Sequence, residues 1–462
     1  RPRRARALGR ALLGRMSGPT VVVGAGLAGL AAAWTLSEAG GDVLLLEGSD
    51  RPGGVVRTVH TEGFLLELGP NTVRPTGELG ALIEKLGLAD QVLRADPRAK
   101  RYVDFEGALH AVPMSPGQLV SSRLLSAGAK LRLLGEPFRR AAPVDGESVR
   151  DFAARRLGPE IADRLVEPFV AGIFAGNAGR ISVSAAFPAL DRAERDHGSL
   201  VGGILAARRT KPSGPPQPRG LLSFRDGLET LPRALAAKLG ARLRTGSAVT
   251  SLAPRDRGWT LRTSGGDLDA GSVVLAVPAP QAAALVTGFA PEAAAALSAI
   301  PQPPVVVLHL AWPESALARP LDGFGHLVCN GPGRRILGAV WSSSLFAGRA
   351  PAGQVLLTVF MGGARDPGAM KLSDYELTEL AARDLASEGL VRGPARAVLL
   401  TRWRQAIPQY ESGHEERIRD LARAEERWPS LHFLGNYRGG VSVGDVVRSG
   451  TGLGLTLSRP RS

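Results

Sequence analysis

The 462-residue chain carries 57 lysine and arginine residues against 43 aspartate and glutamate residues, a formal net charge of +14. Hydrophobic residues make up 44% and charged residues 22%, so the chain can build a large core and is not a disordered protein. The single cysteine, Cys329, excludes an internal disulfide and a thiolate metal cluster, and it favours a cytoplasmic setting. The positive charge could attract a membrane or nucleic acid, but it is mostly dispersed arginine, which we interpret as compositional bias without a nucleic-acid partner.

The first fifteen residues contain six arginines and no acidic residue. Such a stretch could be a targeting or interfacial segment, but we predict that residues 1–15 are a disordered or non-native extension ahead of Met16. Farther along the chain, the uncharged stretches are too short or too interrupted by glycine and proline to predict a transmembrane helix.

Residues 20–47 predict a strand, a glycine turn, a helix and a second strand, which together form a βαβ unit. In the turn, Gly24 permits the tight bend, Gly26 lets backbone N–H groups approach a pyrophosphate, and Gly29 allows the helix to pack on the strands. Glu47 ends the second strand, where an acidic residue can bind a ribose hydroxyl. The predicted dinucleotide site comprises Gly24, Ala25, Gly26, Leu27, Ala28, Gly29 and Glu47.

A second glycine-containing loop follows and is predicted to wrap the diphosphate, with an arginine as counter-charge. Its candidate binding residues are Gly48, Arg51, Gly53, Gly54 and Arg57. A short strand then runs from Phe64 to a turn at residues 69–71. After it, residues 78–88 carry leucine and isoleucine at helical spacing, which predicts a helix.

Residues 112–209 are predicted to form a helical domain. Within it, residues 115–140 contain five basic residues and one acid among leucine, valine and phenylalanine, which predicts a basic amphipathic helix. Such a helix could lie on the cytoplasmic face of a membrane or form the solvated face of a cap domain, and the pattern leaves both open. Further helices are predicted over residues 149–156 and 160–166, and an exposed loop over residues 206–218.

The second half of the chain predicts two groups of strands. Strand composition occurs at residues 243–249, 259–263 and 272–278, and again at residues 304–310, 338–341 and 355–360. The apolar run at residues 272–278 is predicted to be another buried strand of the nucleotide-binding sheet, and the second group forms a separate sheet that covers a substrate cavity. Helices are predicted over residues 377–388 and 414–428, and a short last helix opens at Gly444 with Asp445 as its N-cap.

The glycine turn, the loop from Arg51 to Gly54 and the sequence Leu68-Gly69-Pro70-Asn71 together resemble the amine-oxidase-type flavoprotein superfamily. The resemblance implies an α/β fold with a Rossmann-like domain that binds FAD noncovalently, a mixed-sheet substrate domain and a helical domain that could associate with membranes or form a solvated cap. The implied FAD domain is discontinuous, and the implied domain boundaries are 17–95, 220–290 and 430–462 for FAD and 96–111 and 291–429 for the substrate. Further implied FAD-binding residues are Gly69, Pro70, Asn71, Val249, Gly435, Asn436, Val443, Gly444 and Asp445.

Motifs outside the FAD loops resemble the protoporphyrinogen oxidase family. They are Lys100 to Val103, Gly107 to Pro113, Gly172 to Asn177, Phe187-Pro188, Gly323 to Val328, Ile407 to Tyr410 and Gly435-Asn436. The resemblance implies that FAD takes electrons from a porphyrinogen and that oxygen then reoxidises the flavin. The implied substrate contacts are Arg101 with a propionate, the backbone at Gly172 and Ala175 with the macrocycle, and apolar packing by Phe324, Leu327 and Phe360.

Several alternatives stay open at this point. Coproporphyrinogen III, which has a different number of carboxylates, could be the substrate, and a flavin amine oxidase would share the fold. A nonenzymatic basic protein that binds a membrane or nucleic acid would keep the nucleotide fold as a relic. We assign no catalytic side chain and no metal site, and we interpret His197 and His326 as structural. The sequence is compatible with a homodimer, and Gly444 departs from the larger polar residue that is common in the family.

Overall fold

A computed structural model describes residues 18–139, 142–209, 220–331 and 333–459. The predicted extension at residues 1–15 and residues 210–218 of the predicted loop lie outside the described residues. The fold is mixed α/β, which confirms the predicted fold class. The strands, in chain order, are β1 (Thr20–Val23), β2 (Val43–Leu46), β3 (Thr58–Thr61), β4 (Phe64–Glu67), β5 (Val92–Arg94), β6 (Lys100–Phe105), β7 (Ala108–Ala111), β8 (Leu222–Phe224), β9 (Leu243–Arg244), β10 (Val249–Arg255), β11 (Gly258–Thr263), β12 (Gly266–Ala270), β13 (Ser272–Leu275), β14 (Val305–Pro313), β15 (Gly323–Val328), β16 (Ile336–Val340), β17 (Gln354–Gly362), β18 (Arg396–Trp403) and β19 (Leu431–Phe433).

The α-helices, in chain order, are α1 (Leu27–Glu38), α2 (Gly77–Lys85), α3 (Pro116–Ser121), α4 (Ala127–Leu134), α5 (Val149–Arg156), α6 (Pro159–Ile161), α7 (Glu167–Phe174), α8 (Val183–Ala186), α9 (Pro188–His197), α10 (Leu200–Arg209), α11 (Thr230–Leu239), α12 (Ala279–Val286), α13 (Pro291–Ser298), α14 (Ser342–Leu345), α15 (Asp374–Ser387), α16 (His414–Arg427) and α17 (Val443–Ser458). Short 3₁₀ turns lie at Ala89–Gln91, Glu136–Phe138, Gly240–Arg242, Glu314–Ala316 and Pro367–Lys371, and a π-helical turn lies at Ala162–Val166. Within the described residues, none of the helices combines the length and apolar composition needed to span a bilayer.

The first sheet is parallel and has the strand order β19-β13-β1-β2-β9. Its strands come from three separate parts of the chain, since β1 pairs with β13 and β2 pairs with β9, both far later in the sequence. Helices α1, α11 and α17 pack on one face, and α12, α13 and α16 pack on the other. A parallel sheet covered on both faces needs apolar side chains throughout, which explains the unbroken runs in β1, β2 and β13.

Helix α17 packs closely along α1. A Cβ atom at Gly450 would lie 2.5 Å from the Ala28 carbonyl oxygen, and one at Gly454 would lie 2.7 Å from the Ala32 carbonyl oxygen. Glycines four residues apart therefore let the two helix backbones touch. These glycines lower helix propensity in isolation but permit a packed 16-residue helix, which covers the segment from Gly444 to Ser458 that was predicted as the last helix.

The second sheet is seven-stranded, with the order β18-β14-β17-β16-β15-β6-β7. It contains the strands predicted near residues 304–310, 338–341 and 355–360, which confirms the second sheet. Helix α15 and the neighbouring apolar side chains cover its outer face. Its inner face meets the first domain, where His309 Nε2 contacts the Glu67 carbonyl oxygen at 3.0 Å and Trp403 Nε1 donates to the Leu68 carbonyl oxygen at 2.7 Å.

The single amphipathic helix predicted over residues 115–140 is wrong. The structure has α3, α4 and a 3₁₀ turn there, and Ser115 and Ser126 each cap a new helix start. Lys130 reaches back to donate to the Val120 and Ser122 carbonyls, at 2.9 and 2.7 Å. The break arises because serine caps and Gly135 compete with helix continuation, and part of the basic charge is used internally.

Two other boundaries also differ from the sequence prediction. Helix α10 continues to Arg209, so the loop predicted from residue 206 starts later. The strand predicted over residues 243–249 is divided into β9 and β10 by a turn at Gly246, whose φ is +63°. Positive φ at a glycine interrupts strand pairing, which explains the division.

Candidate functional site

The turn between β1 and α1 forms a cradle in which glycine is required. Gly24 has φ +103°, and a Cβ atom there would lie 2.7 Å from the Ala276 carbonyl oxygen. A Cβ atom at Gly29 would lie 2.0 Å from the Gly24 carbonyl oxygen, so the helix can approach the turn only without a side chain. Gly26 is the N-cap of α1 and has no side-chain cap, and a Cβ atom there would meet nothing within 4 Å. The uncapped N–H groups of the first turn therefore open into free space.

The second glycine loop lies directly against this turn. Gly53 N donates to the Ala25 carbonyl oxygen at 2.8 Å, and a Cβ atom at Gly54 would lie 3.2 Å from the Gly26 Cα. Arg51 Nη2 donates to the Gly54 carbonyl oxygen at 2.8 Å and shapes the loop, while the Arg57 side chain is exposed. The two loops that were predicted to bind one diphosphate are thus in contact, and the exposed Arg57 lies at their edge.

Glu47 lies at the carboxyl end of β2, beside the glycine turn. Its Oε2 accepts from Ala25 N at 2.7 Å, and its Oε1 accepts from Ser49 N at 2.9 Å. Ser247 N donates to the Glu47 carbonyl oxygen at 2.7 Å, and a Cβ atom at Gly48 would lie 3.3 Å from the Ala248 Cβ. The segment that leads into Val249 therefore lies against Glu47 and Gly48, as an adenosine site formed from both parts of the chain requires.

A second helix N-terminus opens on the same region. Leu27 at the start of α1 and Val443 at the start of α17 line one apolar cavity, together with Val56, Val73, Leu79, Leu222, Phe224, Leu228 and Leu231. Gly444 has no room for a side chain, because its Cβ atom would lie 2.8 Å from Thr76 Cγ2. This contact gives a physical reason for glycine where the related family has a larger residue.

The prediction that Asp445 is the N-cap of the last helix is wrong. Ser442 is the N-cap, and its Oγ accepts from Asp445 N at 3.2 Å and donates to Asp445 Oδ2 at 2.6 Å. Asp445 still places a carboxylate in the first turn, where the helix dipole favours it.

The turn at Gly69, Pro70 and Asn71 adjoins the second glycine loop. A Cβ atom at Gly69 would lie 2.1 Å from the Val55 carbonyl oxygen, and Asn71 Nδ2 donates to the Gly69 carbonyl oxygen at 3.1 Å. The other end of the predicted set, Gly435 and Asn436, follows β19, and the Asn436 carbonyl oxygen accepts from the Tyr410 hydroxyl at 2.6 Å. The contacts among these loops fit FAD: two glycine loops for the diphosphate, an acid beside the turn and two helix N-termini close together.

A buried polar network beneath the second glycine loop was missed from the sequence. Glu67 accepts from the Thr58 hydroxyl and from Leu228 N, each at 2.8 Å. Glu229 accepts from Thr58 N at 2.8 Å, and Arg51 lies 3.9 Å from the Glu229 carboxylate. The network joins β3, β4 and the start of α11 under the cofactor loops. An acidic residue inside the apolar run of residues 64–68 was the available signal.

Burial raises the pKa of Glu67 from its ordinary value of 4.5 to about 7. Between these values the unfolded chain releases this proton while the folded chain keeps it, so stability falls as pH rises through that range. We expect the unfolding free energy of Glu67→Gln, relative to the unsubstituted protein, to rise by about 3 kcal/mol between pH 4.5 and pH 8, because Gln removes the titration. Urea titrations of both proteins across this pH range measure the difference. A difference that is independent of pH would contradict the assignment.

The residues predicted for apolar substrate contacts share one row of the second sheet. Leu327 pairs with Gly338, Gly338 pairs with Phe360, and Phe360 pairs with Val307 across adjacent strands. Paired residues in neighbouring strands point to the same face, so this row forms one wall. Phe360 packs with Ala175 and Trp403 on the inner face. We therefore locate the substrate wall on the face that meets the FAD domain.

Arg101 lies on β6 next to this wall. It pairs with Gly325 of β15, and its guanidinium lies 5.9 Å from the centre of the Phe324 ring. Phe324 packs with Leu345 and Phe346 at the end of the wall. Within the described residues, Arg101 has no carboxylate partner at ion-pair distance. A half-buried cation beside an aromatic ring is thus available for an anionic group of a ligand.

Helix α7 brings Gly172 and Ala175 to the same wall. A Cβ atom at Gly172 would lie 2.5 Å from Leu327 Cδ2, so a side chain there would displace the Leu327 side chain. Its carbonyl lies in the last turn of the helix, where carbonyls lack intrahelical partners. Ala175 ends the helix in the left-handed conformation with φ +48°, and its carbonyl oxygen accepts from Ala364 N at 2.8 Å. The Ala175 carbonyl is therefore already engaged, and Gly172 offers the freer acceptor.

The remaining residues singled out from the sequence lie outside the wall. His326 is buried on the outer face of the second sheet, and His197 is exposed at the end of α9. Cys329 follows β15, and burial raises the pKa of its thiol to about 12. Among the described residues, no group of three or more His, Cys, Asp or Glu side chains could hold a metal ion. The arrangement defines a flavin-dependent oxidoreductase, in which FAD supplies the redox centre.

Comparison with known proteins narrows this class. The profile of the flavin-containing amine oxidoreductases matches residues 27–452. The chloroplastic protoporphyrinogen oxidase of Oryza sativa subsp. japonica is 36% identical over 94% of this chain and 87% of its own length. The protoporphyrinogen oxidase of Bos taurus is 36% identical over 94% of this chain and 97% of its own. A crystal structure from Exiguobacterium sp. 255-15, provisionally described as a protoporphyrinogen oxidase, superposes with a TM-score of 0.80 and 25% identity, over 96% of this chain and 99% of the other.

The chain therefore belongs to the protoporphyrinogen oxidase family of flavin-containing oxidoreductases. The predicted enzyme class and FAD cofactor are confirmed by this membership. A nonenzymatic relic of the nucleotide fold was the alternative of a different class, and the match over nearly the whole chain does not favour it.

Proposed function

We propose that the chain oxidises protoporphyrinogen IX to protoporphyrin IX, with oxygen as the final electron acceptor. The observation that carries the proposal is the apolar row of Leu327, Gly338 and Phe360 on the sheet face that meets the FAD domain, with Arg101 at its edge. Bound FAD supplies a two-electron acceptor for hydride leaving the macrocycle. The relatives that carry this name support the same substrate.

The chain's own residues bind and orient the substrate. The apolar row and the glycine at position 172 offer a flat, water-poor wall for the macrocycle. Arg101 pairs with a propionate and fixes the rotation of the ring in its plane. The carbonyl of Gly172 accepts a hydrogen bond from a pyrrole N–H. No side chain acts as an acid or a base in this scheme, because the cofactor performs the redox step.

The decisive experiment is an aerobic assay that follows porphyrin fluorescence with protoporphyrinogen IX and coproporphyrinogen III side by side. We expect Arg101→Ala to raise KM by about 10- to 100-fold with little change in kcat, the effect of losing one charge-assisted hydrogen bond. Arg98→Ala is the matched control, since Arg98 is exposed and pairs only with Asp96 among the described residues. An unchanged KM in Arg101→Ala would remove the propionate role.

The two substrates distinguish the remaining alternatives. If coproporphyrinogen III is oxidised faster than protoporphyrinogen IX, the preferred substrate is the one with more carboxylates. Turnover of neither substrate by flavin-loaded protein would refute porphyrinogen oxidation, and a panel of primary amines would then test the amine oxidase alternative.

We also propose that the helical domain binds the surface of an anionic membrane. Its exposed apolar side chains include Phe138, which is 86% exposed, together with Met114, Val120, Leu131 and Leu134. Glu136, in the same 3₁₀ turn as Phe138, accepts from the first N–H groups of α10, and α10 exposes further apolar side chains at Ile204 and Leu205. Such a surface suits a poorly soluble porphyrin substrate. A location on the cytoplasmic face and a homodimer stay predictions.

Vesicle flotation tests the membrane proposal. The protein is mixed with phosphatidylcholine vesicles with and without phosphatidylglycerol, and the floated fraction is measured. We expect binding to the anionic vesicles and a loss of about tenfold or more in Phe138→Ser, because each large apolar side chain contributes about 1.5 to 3 kcal/mol when buried. Tyr375→Ser, at an exposed position on α15, is the control. Protein that stays in the soluble fraction with both vesicles would refute the proposal.

A further inference from the structure

A buried histidine–glutamate pair lies on the outer face of the second sheet, behind the apolar wall. His326 Nε2 lies 2.9 Å from Glu388 Oε2, and both side chains are fully buried. Trp341 Nε1 donates to His326 Nδ1 at 3.2 Å, which places the imidazole proton on Nε2, toward the carboxylate. Within the described residues, neither His326 Nε2 nor either Glu388 oxygen has an aligned hydrogen-bond partner, so the two groups form a close contact of buried polar side chains. His326 is the basic side chain at ion-pair distance from the Glu388 carboxylate among the described residues.

The position of Glu388 is costly by itself. It is the C-cap of α15, where the helix dipole disfavours an anion, and burial disfavours it further. Asp384, one turn earlier on α15, is also buried, and it accepts from Arg335 N at 2.8 Å and Ile336 N at 3.2 Å at the start of β16. The end of α15 is thus attached to β16 through Asp384 and to β15 through Glu388. Buried pairs of this kind contribute little net stability and are better suited to fixing one arrangement.

Two of the inner-face positions where β15 meets β16 are glycines. Gly325 has φ +146° and Gly338 has φ +156°. A Cβ atom at either one would lie 2.2 to 2.4 Å from a carbonyl oxygen of the facing strand. Strands that approach through glycines specify their register poorly on that face. The register must then be specified by side chains on the outer face.

The outer face supplies those side chains. Tyr102 pairs with His326 across β6 and β15, and the Tyr102 ring stacks on Trp341 with centroids 5.2 Å apart. Side chains alternate between the faces of a strand. The residues next to Tyr102 and His326 are therefore the inner-face residues Arg101 and Leu327. A shift of the outer cluster would move the cation and the apolar wall together.

We propose that the His326–Glu388 pair is a positioning device that holds Arg101 and the Leu327 wall at the spacing the substrate requires. The part of this inference that concerns substrate binding rests on the proposed porphyrinogen function. The pair does not touch the substrate, and it acts through the strand backbone.

Three variants on the FAD-loaded protein test the proposal. We expect Glu388→Ala to raise KM by about fivefold or more with kcat within about twofold, because the wall is displaced while the cofactor site is intact. Glu388→Gln keeps an oxygen acceptor for His326 and is expected to restore KM to within about twofold of the unsubstituted protein. Leu385→Ala, on the same helix and buried on the same outer face, is the control: it lowers the unfolding temperature and leaves KM unchanged.

Hydrogen exchange gives a readout that needs no substrate. We expect peptides covering residues 100–105 and 323–328 to exchange faster in Glu388→Ala than in Glu388→Gln or Leu385→Ala. If Glu388→Ala does not fold, Trp341→Phe replaces it, because it removes the donor to His326 and keeps an aromatic ring beside Tyr102, and the same peptides and KM are measured. The proposal is overturned if the variant that disrupts the His326–Glu388 pair has the same KM and the same exchange rates as the unsubstituted protein. It is also overturned if Leu385→Ala raises KM by the same factor. Failure of the unsubstituted protein to oxidise any porphyrinogen would instead refute the proposed function, and the exchange result would still test the pair.

Discussion

Gly29→Ala is expected to give a protein that retains almost no FAD. A Cβ atom at position 29 would lie 2.0 Å from the Gly24 carbonyl oxygen and 3.1 Å from the Ala276 Cβ. The first contact is with backbone in the cofactor turn, so no side-chain rotation relieves it. Helix α1 must move away from β1, and its first-turn N–H groups lose their position for the diphosphate. A strain of about 3 kcal/mol raises the FAD dissociation constant about a hundredfold.

The measurement is the ratio of flavin absorbance to protein absorbance after extended dialysis. Gly452→Ala is the matched control, because position 452 is helical and a Cβ atom there would meet nothing within 4 Å. We expect the control to keep full flavin content. A Gly29→Ala protein with full flavin content would contradict the view that this glycine sets the approach of α1 to the turn.

The cofactor side could be predicted from the sequence because its determinants are local. The spacing of Gly24, Gly26 and Gly29 within one turn already predicts where the backbone of the turn must lie close to helix α1 and to the diphosphate. The wall could not be predicted in this way. Leu327, Gly338 and Phe360 come from three strands, and their alignment depends on register, which short-range spacing does not contain. The family resemblance identified Leu327 and Phe360 as substrate contacts, but it did not show how the two side chains are arranged in space.

Two features of the helices show different limits of local reasoning. Hydrophobic periodicity over residues 115–140 predicted one helix, although serine caps and a glycine divide the segment. The packing of α17 on α1 through Gly450 and Gly454 could not be predicted, because it depends on a helix far away in the sequence.

Buried charges in the helical domain illustrate the same limit, and they give the second large expected effect. Glu136 and Arg156 are both fully buried and form an ion pair. Glu136 also accepts from Leu200 N at 2.8 Å and from Val201 N at 3.2 Å. These partners lie 20 to 65 residues away in sequence, so no local pattern shows them.

Glu136→Ala is expected to lower the unfolding free energy by about 3 to 5 kcal/mol, because it leaves the Arg156 guanidinium buried with weaker compensation. Glu194, 3.3 Å from Arg156 Nη1, remains but also serves Arg155. Urea denaturation followed by circular dichroism measures the loss. Asp267→Ala, which breaks the exposed Arg262 pair, is the control and should cost less than about 1 kcal/mol.

A double variant separates the cost of an unpaired charge from the value of the pair. In Glu136→Ala combined with Arg156→Met, the buried cation is removed as well, and a large part of the lost stability should return. If the double variant is as unstable as Glu136→Ala, the loss comes from the uncapped start of α10 and not from the charge. FAD content should stay unchanged in all these proteins, since the pair lies outside the first sheet and its helices. Loss of flavin in Glu136→Ala alone would show that the helical domain and the cofactor domain unfold as one unit.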